Sequence, residues 1–174
     1  MKALKVFSLA VLLIAAAALI ACGGTAAPKT YTDPFAYCSA VTTMDQPGAN
    51  YTGNKVPESV AKALLAALGT PSVPLDALQN GSSWRCMDGK VYGCFVGANL
   101  PCEEKADTSR TPTQAMTDYC AQNTNSDFIP ASETGRATVY EWRCTNGVPE
   151  VVKQFVEPDK QGFLSNVWYA LSKP

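Results

Sequence analysis

The segment Trp84-Arg85-Cys86-Met87-Asp88-Gly89 returns later in the chain as Trp142-Arg143-Cys144-Thr145-Asn146-Gly147. Asp-Gly or Asn-Gly between apolar and aromatic residues is the strongest short-range signal for a two-residue type I′ turn. Both central positions of that turn need φ > 0, which Gly adopts freely and Asn or Asp adopt better than most residues. Each copy therefore predicts a β-hairpin with a fixed register. Cys86 should face Val91, Arg85 should face Tyr92 and Trp84 should face Gly93; in the second copy Cys144 faces Pro149, Arg143 faces Glu150 and Trp142 faces Val151. Strand alternation then puts Trp and Cys on one face and Arg on the other, and the Trp-Cys face is the one expected to meet the core. Pro149 cannot donate to a ladder, so its arm is expected to be an edge or to carry a bulge.

The repetition extends upstream. Tyr37-Cys38 follows Asp33-Pro34, and Tyr119-Cys120 follows Thr111-Pro112. A capping residue followed by proline is a helix start, and Thr111-Pro112-Thr113-Gln114 reads as a capping box. Both halves thus read as a helix bearing Tyr-Cys, a connection, then a hairpin bearing Trp-Arg-Cys. The fold class expected is α+β: a small disulfide-braced domain of short helices and antiparallel hairpins, internally duplicated, with half-repeats of about 31–102 and 103–174.

The chain opens with Lys2 and Lys5, then an apolar run from Val6 to Ala21 that is short for a membrane span. It ends in Leu19-Ile20-Ala21-Cys22, which resembles the lipobox of bacterial lipoproteins. The resemblance implies that residues 1–21 are a removable signal peptide, that Cys22 receives a diacylglycerol on its sulfur, and that its new amino group is acylated. Two or three acyl chains make membrane release negligible, because each buried methylene contributes about 0.8 kcal/mol. Gly23 is not the aspartate that resembles an inner-membrane retention signal, so the expected address is the outer membrane, or the outer face of the cell membrane in a host with only one. Residues 22–30 read as a lipidated tether and 31–174 as one globular domain. Of 14 basic residues, removal of Lys2 and Lys5 leaves 12 against 15 acidic ones. With no basic cluster, nucleic acid is not an expected partner.

Six cysteines remain in the exported part, and an even number outside the cytosol predicts three disulfides among fifteen connectivities. The repeat argues for Cys38–Cys86 and Cys120–Cys144, which leaves Cys94–Cys102. The chain-entropy model gives about 4, 3.4 and 2.5 kcal/mol for these loops, on the order of 10 kcal/mol together. That rivals the whole stability of an ordinary domain, about 5–15 kcal/mol.

Between these landmarks, Pro57 to Leu68 predicts the best helix, with Val60, Ala61, Leu64, Leu65 and Leu68 on one side and Gly69 beyond its end. Residues 43–54 read as loop, and Pro71, Pro74 and Asn80-Gly81 predict an irregular stretch. Strands are expected from Ala137 to Cys144, from Val151 to Val156 and from Phe163 to Leu171, with two turns of helix as the alternative for the last.

The chain contains no histidine. Ser-His-Asp and Cys-His catalysis and histidine metal sites are therefore excluded, and no Cys-x-x-Cys spacing suggests zinc. No cofactor or metal is expected. Glycosidic cleavage needs only two carboxylates, but Glu103-Glu104 read as a solvated pair and Glu150 as an ion-pair partner of Arg143. Trp84, Trp142 and Trp168, with Tyr92, Tyr140 and Tyr169, read as core or as the lining of a sugar or peptide groove. A loop closed by Cys94–Cys102 would present Phe95, Asn99 and Leu100 rigidly, a candidate recognition loop. The leading expectation is a non-enzymatic envelope module binding a protein or glycan near the membrane. The alternatives are an inhibitor of an extracytoplasmic hydrolase and a carboxylate-dependent enzyme acting on envelope polysaccharide.

Overall fold

The computed structural model describes residues 27–69, 72–97 and 99–174. The signal peptide, Cys22, most of the tether and Pro71 lie outside the described residues. The fold is α+β. Helices α1 (Pro34–Val41), α2 (Glu58–Leu68) and α3 (Leu75–Gly81) precede the hairpin β1 (Ser82–Met87) and β2 (Lys90–Phe95). Helices α4 (Gln114–Gln122) and α5 (Ala131–Thr134) then precede the hairpin β3 (Tyr140–Thr145) and β4 (Val148–Gln154). A 3₁₀ turn at Ser165–Val167 leads into the short strand β5 (Tyr169–Leu171).

Both hairpins close on type I′ turns: Asp88 and Gly89 have φ of 52° and 76°, Asn146 and Gly147 of 51° and 81°. The pairing is the one the turns dictate, with Cys86 opposite Val91 and Cys144 opposite Pro149. The repetition reaches individual hydrogen bonds. In the first half the Gly89 amide donates to Thr42 O, the Cys86 amide to Met44 O and the Asp88 amide to Thr43 Oγ1. In the second, the Gly147 amide donates to Thr124 O, the Cys144 amide to Ser126 O and the Asn146 amide to Asn125 Oδ1. Each acceptor stands four, five or six residues after the helical cysteine, so the segment leaving each helix is laced to the hairpin turn in the same way. Disulfides Cys38–Cys86 and Cys120–Cys144 tie the same two elements, and Cys94–Cys102 closes the loop after β2.

The halves interlock. Strand β5, from the end of the chain, pairs antiparallel with β2 and makes the first sheet three-stranded, in the order β1-β2-β5. Gly93 permits this approach, because a Cβ there would stand 3.0 Å from a Leu171 methyl and 3.4 Å from one of Leu64. Leu171 thus joins the core of Tyr37, Val60, Leu64, Leu78 and Trp84. In exchange Cys94 and Cys102 join the second core, around Met116, Val139, Trp142, Phe163 and Trp168.

Several local expectations are corrected. Residues 75–81 are helical, not irregular: Pro74 leads α3 without breaking it, and its i, i+3 pair buries Leu78 fully. The α4 cap is Thr113, two residues beyond the expected Thr111. Its hydroxyl accepts from the Met116 amide at 3.2 Å, which sets buried Met116 on the inner face. The strand expected over 163–171 is only Tyr169–Leu171, since the 3₁₀ turn buries Val167. The strand expected from Ala137 begins at Tyr140, and that expected over 151–156 is the outer part of β4. β4 is an edge strand and carries a bulge: pairing jumps from Trp142–Val151 to Glu141–Lys153, leaving Val152 unopposed.

Arg85 is the largest departure. Strand alternation puts it on the outer face, yet it is fully buried, whereas Arg143 at the repeat-equivalent position is half-exposed beside Glu150. The outer face of the first hairpin is covered by residues 159–168; the matching face of the second has no such cover. The Arg85 guanidinium bonds the Asp159 carboxylate and the Gln161 side-chain oxygen. It also lies 4.4 Å from the ring centroid of Trp168, 4.6 Å from that of Phe163 and 5.6 Å from that of Tyr92. Lys160 adds an exposed ion pair with Asp88, so this turn grips the first hairpin from its strand to its tip.

Candidate functional site

A cleft of about 280 Å³ opens where the two halves meet. One wall is the start of β1, Ser82 to Trp84. Opposite stand Phe163 and Trp168 from the C-terminal segment, with Tyr51 and Lys55 from the loop before α2 and Cys102-Glu103 from the connection between halves. The aromatic side chains are fixed before any ligand arrives. Trp84 Nε1 donates to Lys55 O at 2.6 Å, and the Trp84 ring meets Tyr51 edge to face at 4.8 Å. Trp168 packs edge to face on Phe163 at 5.7 Å and is backed by the Arg85 guanidinium. Gly53 lets the Tyr51 ring lie close, since a Cβ there would run into that ring and stand 2.7 Å from Thr32 O. Burial, with the negative charge of Asp33 adding to it, pushes the Tyr51 hydroxyl up to about 12, so it remains a neutral donor to Thr32 O.

The polar groups of the cleft fall into two sets. Asp45 and Glu103 already hold partners: Asp45 accepts from Lys105 at 2.6 Å and Gln161 at 2.7 Å, and Glu103 accepts from Ser83 Oγ at 2.9 Å. Ser82 Oγ and Trp168 Nε1 hold none among the described residues, and both atoms are buried beneath the cleft surface in residues only 5 % and 8 % exposed. Buried donors and acceptors are paired in nearly all native proteins, with protein groups or with ordered water.

The candidate recognition loop divides. Phe95 ends β2 and packs on the first-half core beside Gly81 and Gly97, away from the other two residues. Asn99, at φ 61°, and Leu100 instead form one rim of a second, wider groove of about 590 Å³. Arg136 pins that rim by donating to Asn99 O at 3.0 Å, and the exposed side chains of Phe128, Val152 and Phe155 continue the groove. Val152 stands there because the bulge turns it outward.

The candidate carboxylates are dispersed. Glu103 lines the cleft and Glu104 does not. Glu141 pairs with Lys153 at 3.3 Å beside the second groove, and Glu150 pairs with Arg143 at 3.2 Å. The Thr145 hydroxyl, with Arg143 beside it, holds the Glu150 carboxyl below the usual carboxylate range. Trp84, Trp142 and Trp168 all belong to the cores, and each also borders the cleft or the groove. Asp45 and Ser82 had no local signal in the sequence; they reach the cleft through the bridge from Met44 to Cys86 and through the start of β1.

Among the described residues no group of three or more His, Cys, Asp or Glu is placed to hold a metal ion, and no helix is long and apolar enough to cross a membrane. The three disulfides mark an oxidising, extracytoplasmic environment. The class defined by fold and site is a disulfide-braced α+β domain made of two helix–hairpin units with an aromatic cleft at their junction. No protein-family model, curated protein or solved structure matches the chain.

Proposed function

We propose that this chain is a lipid-anchored envelope lipoprotein whose domain is a non-enzymatic binding module, held near the bilayer by acylated Cys22. The lipobox resemblance supports the anchor, and Gly23 supports the outer membrane as the address in a two-membrane host. The observation that carries the binding reading is the junction cleft, lined by Tyr51, Trp84, Phe163 and Trp168, whose rings are held by packing on one another and by the Trp84 bond to Lys55 O. A preformed site of this kind binds without first ordering its own side chains. Immobilised full chain should retain a specific component from a solubilised envelope fraction; no retention above a reduced control would overturn the reading. The anchor is tested by intact mass, which should match a chain starting at Cys22 with acyl additions. An unprocessed chain beginning at Met1 would end it.

A second reading, inhibition of an extracytoplasmic hydrolase, is favoured by one observation. The tip of the 94–102 loop is fastened by the Cys94–Cys102 bridge and by Arg136, yet Leu100 remains 38 % exposed. Leu100→Ala would then weaken inhibition without lowering the melting temperature.

A further inference from the structure

We propose that the exposed apolar face formed by Leu100, Phe128, Val152 and Phe155 rests on the bilayer that holds the anchor, so that the domain lies on the membrane surface in one orientation. This rests on the acylation of Cys22 read above and adds to it the face that meets lipid.

Eight large apolar side chains are exposed among the described residues, and four of them, Leu100, Phe128, Val152 and Phe155, stand around the second groove. Phe128 and Phe155 are 65 % and 48 % exposed, so their rings stand out from the surface. Exposed apolar side chains gathered in this way mark a surface that something covers. In the first unit residues 159–171 cover the hairpin and pair with its edge; among the described residues nothing does the same for the second. A strand from another chain is a poor substitute. Val91, which pairs with Leu171 of β5, has Pro149 as its counterpart in β4. Pro149 has no N–H to offer a further strand, and the bulge at Val152 breaks the edge beyond it. The same two features oppose a second copy joined through β4. Charge selects no partner either: Asp127, Arg136 and Glu141 line the groove, and with Lys153 paired to Glu141 their charges cancel. An apolar face that asks for neither backbone pairing nor charge suits the boundary between headgroups and acyl chains, where phenylalanine and aliphatic side chains bury.

The tether supplies the reason that this bilayer is the occupant. The chain is fixed from Tyr31, whose amide donates to Asn50 O. Residues 22–30 span at most about 32 Å when fully extended. That is comparable with the width of a domain whose radius of gyration is about 15 Å for its length. An anchored domain therefore never stands far from the surface, and the tether turns contact into an intramolecular event at high effective concentration. A patch too small to hold a free protein at a membrane is enough for one already there.

The test is fluorescence quenching of the acylated chain in phosphatidylcholine vesicles whose acyl chains are brominated near the headgroup, with unbrominated vesicles as the reference. Phe128→Trp and Phe155→Trp each add an indole to the face, and Lys62→Trp adds one to the exposed side of α2 as a control. The reading is the emission added over that of the parent, which carries Trp84, Trp142 and Trp168. Both variants at the face should lose most of their added emission to bromine, at low and at high salt, and the control should keep its own. Both replace one exposed ring by another, so each stands in if the other does not fold. Vesicle flotation separates the two readings. Protein that floats with the vesicles but shows no quenching at Phe128→Trp or Phe155→Trp, or equal quenching at Lys62→Trp, overturns the inference and leaves the anchor standing. Protein that does not float removes the anchor and the inference with it. Quenching abolished by high salt would mean attraction by charge and overturns it too. A dimer in detergent that Phe128→Ser dissociates would give the face to a second copy instead.

Discussion

Arg85 and Arg143 occupy the same position in the two hairpins and should respond oppositely to substitution. Arg85 is enclosed by three aromatic rings and bonded to Asp159, whose side chain is itself 9 % exposed. Removing one partner of such a pair leaves the other charge buried alone, a cost of about 3–5 kcal/mol. Asp159→Ala should therefore lower the unfolding free energy by that order in a denaturant titration, whereas Arg143→Ala, in an exposed pair, should change it by less than about 1 kcal/mol. Tyr51 offers a second test at this scale. Its folded pKa is raised, so its contribution to stability is complete below the ordinary tyrosine value of about 10 and is lost as pH rises through about 12. Ultraviolet titration should show a late-titrating tyrosine component that Tyr51→Phe diminishes.

At the scale of elements, α1 depends on Asp33. Its carboxylate accepts from the Phe35 amide at 2.9 Å and pairs with Lys173, near the chain end, at 2.6 Å. The Lys173 bond is the larger reason that the Asp33 carboxyl is held below the usual range, with the helix amides adding to it. A depressed carboxylate stabilises the fold above its unfolded value of about 3.9 and loses that contribution as pH falls through the folded value. Asp33→Ala should thus cost about 1 kcal/mol at neutral pH. The difference from the parent should shrink on acidification in thermal melts; a gap independent of pH would contradict the role given to the charge.

For the whole molecule, the disulfides and the exchange between halves act together. Each helix–hairpin unit is stapled within itself, while β5 and the 159–161 turn fasten the second unit to the first. Cross-links of this span limit the unfolded chain by an amount comparable to a domain's net stability. Excess reductant should abolish the cooperative melt of the full chain or move it far down in temperature. An unchanged melting temperature with six titratable thiols would mean that the apolar cores suffice alone.

What could be read without coordinates was local. Asp88-Gly89 and Asn146-Gly147 fix turn type, and turn type fixes register, because a two-residue loop with both φ positive closes in one way. Pro57 with Gly69 bounded α2, since a proline at the start and a glycine past the end leave little latitude. The α+β class and the disulfide bracing followed from such signals. The burial of Arg85, the course of 163–171 and the assembly of the cleft were not legible. Alternation assigns a residue to a face of its strand, but not what lies on that face. Here residues about seventy positions away cover it, and the same contacts bring Trp168 and Phe163 to Ser82. Short-range stereochemistry thus determined the two units from sequence alone, and only the packing of one on the other decided which arginine is buried and where the cleft opens.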